Sequence, residues 1–109
     1  MEEKNVLLVC GSGASSGFMA SNINKAAKKR KVAVKVKARS QNEVDSYIDD
    51  IQLIMVGPHL KYAVPELEEK AEGKDVKVAL MKKSYYALLD GDKALDHILA
   101  LLGEENAED

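Results

Sequence analysis

Cys10 is the one cysteine of a 109-residue chain, and it stands between an apolar run and a run of small residues. Asn5-Val6-Leu7-Leu8-Val9 leads into it; Gly11-Ser12-Gly13-Ala14-Ser15-Ser16-Gly17 follows, and a helical pattern begins directly after. Strand, small-residue loop and helix in that order make a site for an anion. Small residues let backbone N–H groups turn inward, and a helix start adds unpaired N–H groups and a partial positive charge. A thiol at the mouth of such a cradle ionises more readily than a free one. The chemistry that fits is a cysteine that receives a phosphoryl group or attacks one. A lone cysteine after a strand is by itself more often a small buried hydrophobe than a nucleophile. The glycines and serines behind this one argue otherwise: they pack no core and suit a backbone that approaches a ligand closely.

Other phosphate loops fit less well. The dinucleotide fingerprint needs a third glycine where Ser16 stands and an acid at the end of the second strand, where the chain has Arg39. Arg39 would suit a 2′-phosphate, yet the chain is short for a whole dinucleotide site. The Gly-Lys-Ser/Thr of a Walker loop is absent. A cysteine-dependent tyrosine phosphatase places an arginine at the position of Ser16, and this loop holds none. The missing bidentate clamp removes the group that would best stabilise a phosphoryl transition state for hydrolysis.

The elements that must position the loop follow from hydrophobic periodicity. Val6 to Val9 is uniformly apolar, as a strand covered on both faces should be. A helix is predicted from about Gly17 or Phe18 to Arg30, with Met19, Ile23, Ala26 and Ala27 inward and a basic C-terminal end. Val32 to Ala38 alternates, with Val32, Val34 and Val36 on one face and Lys35 and Lys37 on the other, a half-exposed edge strand. Ser40-Gln41-Asn42-Glu43 has capping-box spacing and starts a short helix to about Ile48, with Val44, Tyr47 and Ile48 inward. Ile51 to Val56 is the second continuous apolar strand and ends at the turn Gly57-Pro58. A turn from about His59 then leads into a helix from near Pro65 to Glu72, closed by Gly73. Val76 to Leu80 reads as another edge strand, Ser84 as the cap of a short turn with Tyr85 and Tyr86, and Asp92 as the cap of a last helix ending at Gly103.

Strands alternating with helices give a parallel sheet with helices on both faces. Central strands are the two continuous apolar ones, edge strands the two alternating ones. Right-handed crossovers then give a three-layer α/β/α fold with a four-stranded parallel sheet of order 2-1-3-4. Ligands of such sheets bind outside the C-terminal ends of strands 1 and 3. The Cys10 loop leaves one of these and Gly57-Pro58-His59 the other, so motif and topology converge on one crevice.

Totals narrow the class. One domain over residues 1–103 with an acidic, disordered tail over 104–109 is expected. Net charge is −2, with few aromatics and no Trp, so nucleic acid is not an expected partner. No apolar run approaches the roughly 18 residues of a membrane span, and Met1-Glu2-Glu3-Lys4 lacks the pattern of a secretory signal. One cysteine and two histidines, His59 and His97, leave no expected metal site. A cytoplasmic protein that is not membrane-embedded is the expectation.

The run from Leu8 to Met19, with Gly57-Pro58-His59-Leu60-Lys61-Tyr62 and Pro65-Glu66-Leu67, resembles the enzyme IIB component of the bacterial sugar phosphotransferase system, lactose/cellobiose (chitobiose) branch. Family members often carry Ser-Ala-Gly-Met after the cysteine, where this chain has Gly11-Ser12-Gly13-Ala14; small residues are kept. The resemblance implies the fold of small, low-molecular-weight tyrosine phosphatases. It also implies that Cys10 accepts a phosphoryl group from a histidine of a IIA protein and passes it to a sugar held by a membrane IIC transporter, without a cofactor. Gly11 to Gly17 would form the phosphate loop, and IIC would tether the chain peripherally to the membrane. His59 and Tyr62 are candidate partner contacts, with polar filler and packing as the plainer readings. His97 is expected to be solvated. Two other classes stay open: a cysteine phosphatase, and a non-catalytic phosphate-sensing module.

Overall fold

The computed structural model describes residues 3–9 and 14–103, giving residues 14–16 as helical backbone only. Four parallel strands, β1 (Lys4–Val9), β2 (Val34–Arg39), β3 (Leu53–Val56) and β4 (Lys77–Leu80), stand in the order β2-β1-β3-β4. Order and direction are those read from the strand patterns. Val6 to Val9 and Leu53 to Val56 are all but fully buried, because a central strand has a helical layer over each face. Along β2, Val34 and Val36 are buried while Lys35 and Lys37 are exposed.

Side-chain alternation along the strands feeds two cores. On one face α1 (Ala14–Arg30) and α5 (Gly91–Leu102) cover Val6, Leu8, Leu53 and Met55, bringing Met19, Ile23, Leu95 and Ile98. On the other, α2 (Val44–Tyr47) and α3 (Val64–Ala71), with residues beside them, cover Leu7, Val9, Ile54 and Val56: Val44 and Leu67 come from the helices, Ile48 and Leu60 from the adjoining chain. A 3₁₀ turn (Gln41–Glu43) opens α2, and the Glu43 carboxylate accepts from the Ser40 backbone N–H at 3.0 Å, the capping-box contact its spacing predicted. That hydrogen bond, aided by Arg39, holds the Glu43 carboxyl below its usual range. A second 3₁₀ stretch (Pro58–Ala63) precedes α3, with Pro65 in the first helical turn, where its missing N–H costs no hydrogen bond.

Several boundaries differ from the sequence reading: β2 begins at Val34 rather than Val32 and β3 at Leu53 rather than Ile51. Helix α1 starts at Ala14 rather than Gly17 or Phe18, so Ala14, Ser15, Ser16 and Gly17 form its first turn instead of extending the loop. Asp90, not Asp92, caps α5: its carboxylate accepts from the Lys93 N–H at 3.1 Å. Lys82 precedes α4 (Lys83–Ala87), and Ser84 lies inside that helix instead of capping it.

The open edge of β2 is closed by a side chain. Asn24 on α1 donates to the Val36 carbonyl at 2.9 Å and accepts from the Val36 N–H at 2.8 Å. One carboxamide thus takes both ladder groups of the residue at the middle of the edge, where a further strand would otherwise pair.

Candidate functional site

The crevice is built by strand ends that stop at one level. Val9 pairs with Val56 on one side and Arg39 on the other. Just beyond, the Gly57 N–H donates to the Val9 carbonyl at 2.9 Å and the Met81 N–H to the Val56 carbonyl at 2.8 Å. The chain leaving β3 therefore crosses the end of β1, and the chain leaving β4 the end of β3. Four residues join Val9 to the start of α1; they are Cys10, Gly11, Ser12 and Gly13, which lie outside the described residues. The 17-residue helix beyond them has no acid in its first turn. Its leading N–H groups have no carbonyl partner within the helix and present partial positive charge at this end of the sheet.

The rim carries aromatic and basic side chains. Leu60 is buried and ties the Pro58–Ala63 stretch to the core, leaving His59 and Lys61 exposed and Tyr62 74 % exposed. The rings of His59 and Tyr86 lie 6.0 Å apart, linking the exits of β3 and β4. Phe18 and Leu88 are also largely exposed. At the end of β2 the Arg39 guanidinium donates to the Tyr47 hydroxyl at 2.8 Å and to the Ala38 carbonyl at 2.7 Å. The Tyr47 contact raises the Arg39 pKa further, so its charge is permanent.

His97 is not the solvated residue expected. It is half-buried, and its Nδ1 lies 2.6 Å from the Tyr85 hydroxyl. Burial pushes the Tyr85 phenol up to about 12, so Tyr85 is the donor. His97 then accepts as the neutral imidazole, a state that burial and the nearby Lys82 charge favour by lowering its pKa. The pair fastens α4 to α5. Among the described residues no group of three His, Cys, Asp or Glu side chains could hold a metal ion. No helix among them is long and apolar enough to cross a membrane.

Residues 5–97 match the family model "PTS system, Lactose/Cellobiose specific IIB subunit".

The chain belongs to that family.

Its likeness to other IIB-family proteins runs through sequence and fold. The lactose-specific EIICB component of the phosphotransferase system (PTS) from Staphylococcus epidermidis is 30% identical over 99 residues, which are 89% of this chain and 17% of that protein. The counterpart from Staphylococcus haemolyticus is 31% identical over the same shares. The chain thus spans about a sixth of the length of these relatives. The lactose-specific IIB component domain from Streptococcus pneumoniae superposes with a TM-score of 0.83 at 23% identity, covering 91% of this chain and 97% of that one. The cellobiose-specific IIB component from Borrelia burgdorferi gives 0.73 at 24% identity, covering 97% and 95%.

Of the residues singled out from sequence, the IIB fold brings Gly17, on the first turn of α1, and His59, just past β3, to the C-terminal end of the sheet. Tyr62 stands on the solvent side of the same 3₁₀ stretch. Tyr86 stands opposite His59. The edge-closing role of Asn24 was missed; its signal is a carboxamide one residue past the inward Ile23 on an otherwise alanine-rich and lysine-rich helix.

Proposed function

We propose that the chain is a phosphoryl carrier of a sugar-uptake system, with Cys10 as acceptor and then donor. The observation that carries this reading is the register of Val9. Val9, the residue before Cys10 in the chain, ends a buried central strand beside the end of β3, and only four residues separate that strand from the acid-free start of a long helix. A thiolate close to that helix end would be favoured by its partial positive charge. The transfer has two steps. The thiolate attacks the phosphorus of a phosphohistidine on a IIA protein, forming an S–P bond as the N–P bond breaks. A hydroxyl of a sugar held by a membrane IIC partner then attacks, forming an O–P bond as the thiolate leaves and the hydroxyl proton passes to solvent or a base. A thiolate serves both steps because it is a good nucleophile and a good leaving group. Phosphocysteine brings roughly two negative charges, which N–H groups of Gly11 to Gly13 and of the first turn, Ala14 to Gly17, would offset. No cofactor or metal is required. His59 and Tyr62, exposed on the rim, would touch the protein partners. The chain would act in the cytoplasm, held at the membrane through IIC.

Phosphorylated IIA of a lactose/cellobiose system should label the wild type and not Cys10→Ser. The label should be released to a β-galactoside or β-glucoside only when IIC membranes are added. Labelling of Cys10→Ser would remove Cys10 from this role, and steady turnover of an aryl phosphate would assign the chain to the phosphatases instead.

A further inference from the structure

Residues 4–42 hold nine Lys and Arg and no Asp or Glu; residues 43–109 hold seven Lys and Arg against sixteen Asp and Glu. The small net charge of −2 therefore hides segments of formal charge +9 and −9, with Glu2 and Glu3 making up the rest. The fold gathers part of the basic segment on one surface: α1 brings Lys25 and Lys28 beside Lys37 and Arg39 of β2, the edge strand, whereas β3 and β4 carry no acid and the acidic residues lie on the helices and turns that follow β2.

Arg30 of the basic segment is paired with Asp92 and Asp96, but the lysines toward β2 are not. Lys25, Lys28, Lys35 and Lys37 are exposed, and none makes an ion pair among the described residues. Elsewhere Lys70 and Lys74 are taken up by Asp45 and Asp49. Between α1 and β2 lies a shallow groove of about 560 Å³, with Gly17, Asn24, Lys25, Lys28, Lys37 and Arg39 among its lining residues. Gly17 and Arg39 mark its end nearest the crevice, since Gly17 is in the first turn of α1 and Arg39 pairs with Val9.

We infer that this α1/β2 groove is the docking face for an acidic surface of the protein that donates the phosphoryl group. The inference rests on the carrier reading above. Three features select this occupant. Val36 at the middle of the edge is already bonded to Asn24, which opposes recognition by strand addition and leaves it to side-chain charge. No aromatic side chain lines the groove, so it offers bases no stacking platform. A long polyanion or an anionic membrane plane laid over it would also meet the acidic segment. A compact acidic patch on a folded partner can meet the groove's lysines alone, and their charge orients that partner as it arrives. Steering of this kind raises association rates and fades with salt.

The test uses the triple variant Lys25→Glu/Lys28→Glu/Lys37→Glu and phosphorylated IIA, read as initial rate of labelling against IIA concentration at low and high salt. Expected is a rise in KM of about tenfold at low salt, an unchanged rate at saturation, and loss of the salt dependence seen in wild type. The Lys→Arg triple at the same positions should behave as wild type. Wild-type labelling with equal KM and equal salt dependence in the Lys→Glu triple would overturn the groove assignment and leave the carrier reading standing. A wild type that accepts no label would overturn the carrier reading, and the docking inference with it. Wild-type binding to phosphatidylserine vesicles, without salt-sensitive binding to IIA, would also overturn the groove assignment, in favour of a membrane surface.

Discussion

On one face of the sheet α5 meets α1 at backbone distance. A Cβ built on Gly91 would lie 2.4 Å from the Asn22 carbonyl oxygen, and the Asn22 side chain donates to the Leu89 carbonyl at 2.9 Å. Arg30 reaches over the same seam to Asp96 at 2.7 Å and Asp92 at 3.2 Å. On the other face α3 and the α2 region are joined across their tops by polar side chains: Lys70 to Asp45, Gln41 to Glu66, and Lys74 just past α3 to Asp49. Both layers carry solvated ion pairs, but only the first also has two helices meeting at backbone distance, a fastening by shape. The difference bears on function, because the shape-fixed layer contains the helix whose start follows Cys10. A carrier that gives up its phosphoryl group in a protein complex gains from a helix end already held in place.

The sharpest way to break this contrast is Gly91→Ala. The added methyl would strike backbone, which cannot swing aside as a flexible side chain can, so α5 must move away from α1 or the helix start must unravel. Overpacking at such a contact costs about 3 kcal/mol, read as a lower urea midpoint at unchanged slope. A loss under about 1 kcal/mol would mean that the α1–α5 seam yields as easily as the opposite layer.

The same contrast separates what the sequence discloses from what it conceals. A strand covered on both faces must be apolar throughout, so Val6–Val9 and Leu53–Val56 announce themselves as central, and the alternating β2 as an edge. Those patterns suffice for the sheet order and hence for the crevice. The start of α1 stayed ambiguous because Ala and Ser suit a helical turn and a loop alike, and Gly17 pulls the reading late. Asp90 and Asp92 are both good caps. The choice between them lies in the close approach of Gly91 to Asn22, 69 positions away. Likewise nothing near His97 in the chain foretells Tyr85 as its partner. The division of charge was countable from the start, yet its basic part became a surface only where α1 lies beside β2.

A smaller effect separates the layers by pH. His97 belongs to the α1/α5 side, where its Tyr85 partner lies in the same core. Its pKa in the folded chain is below the unfolded value near 6.5, through burial first and the Lys82 charge second. The unfolded chain therefore binds the proton more readily. Stability from the neutral pair is fully present above about pH 6.5 and falls as the pH drops toward the folded value. Thermal melts of wild type should decline over that window more steeply than those of His97→Gln, which keeps a hydrogen-bonding side chain without the titration. Parallel declines would show that the pair does not discriminate between the protonation states.

The least effect is expected from the ion pairs of the α2/α3 layer. Asp45 and Asp49 are 72% and 77% exposed at the side chain, and their partners Lys70 and Lys74 are 30% and 40% exposed. Water competes for all four groups, and ordering two long side chains costs most of what the attraction supplies. Lys70→Met/Lys74→Met keeps the aliphatic stems and removes both charges. Its urea midpoint should correspond to a change within about 1 kcal/mol of wild type, and raising the salt should move wild type toward the variant. A loss as large as that of Gly91→Ala would make these pairs a fastening of equal rank to the α1–α5 seam. The α2/α3 layer would then be as firmly set as the layer behind Cys10, and the helix start would have no special claim to rigidity.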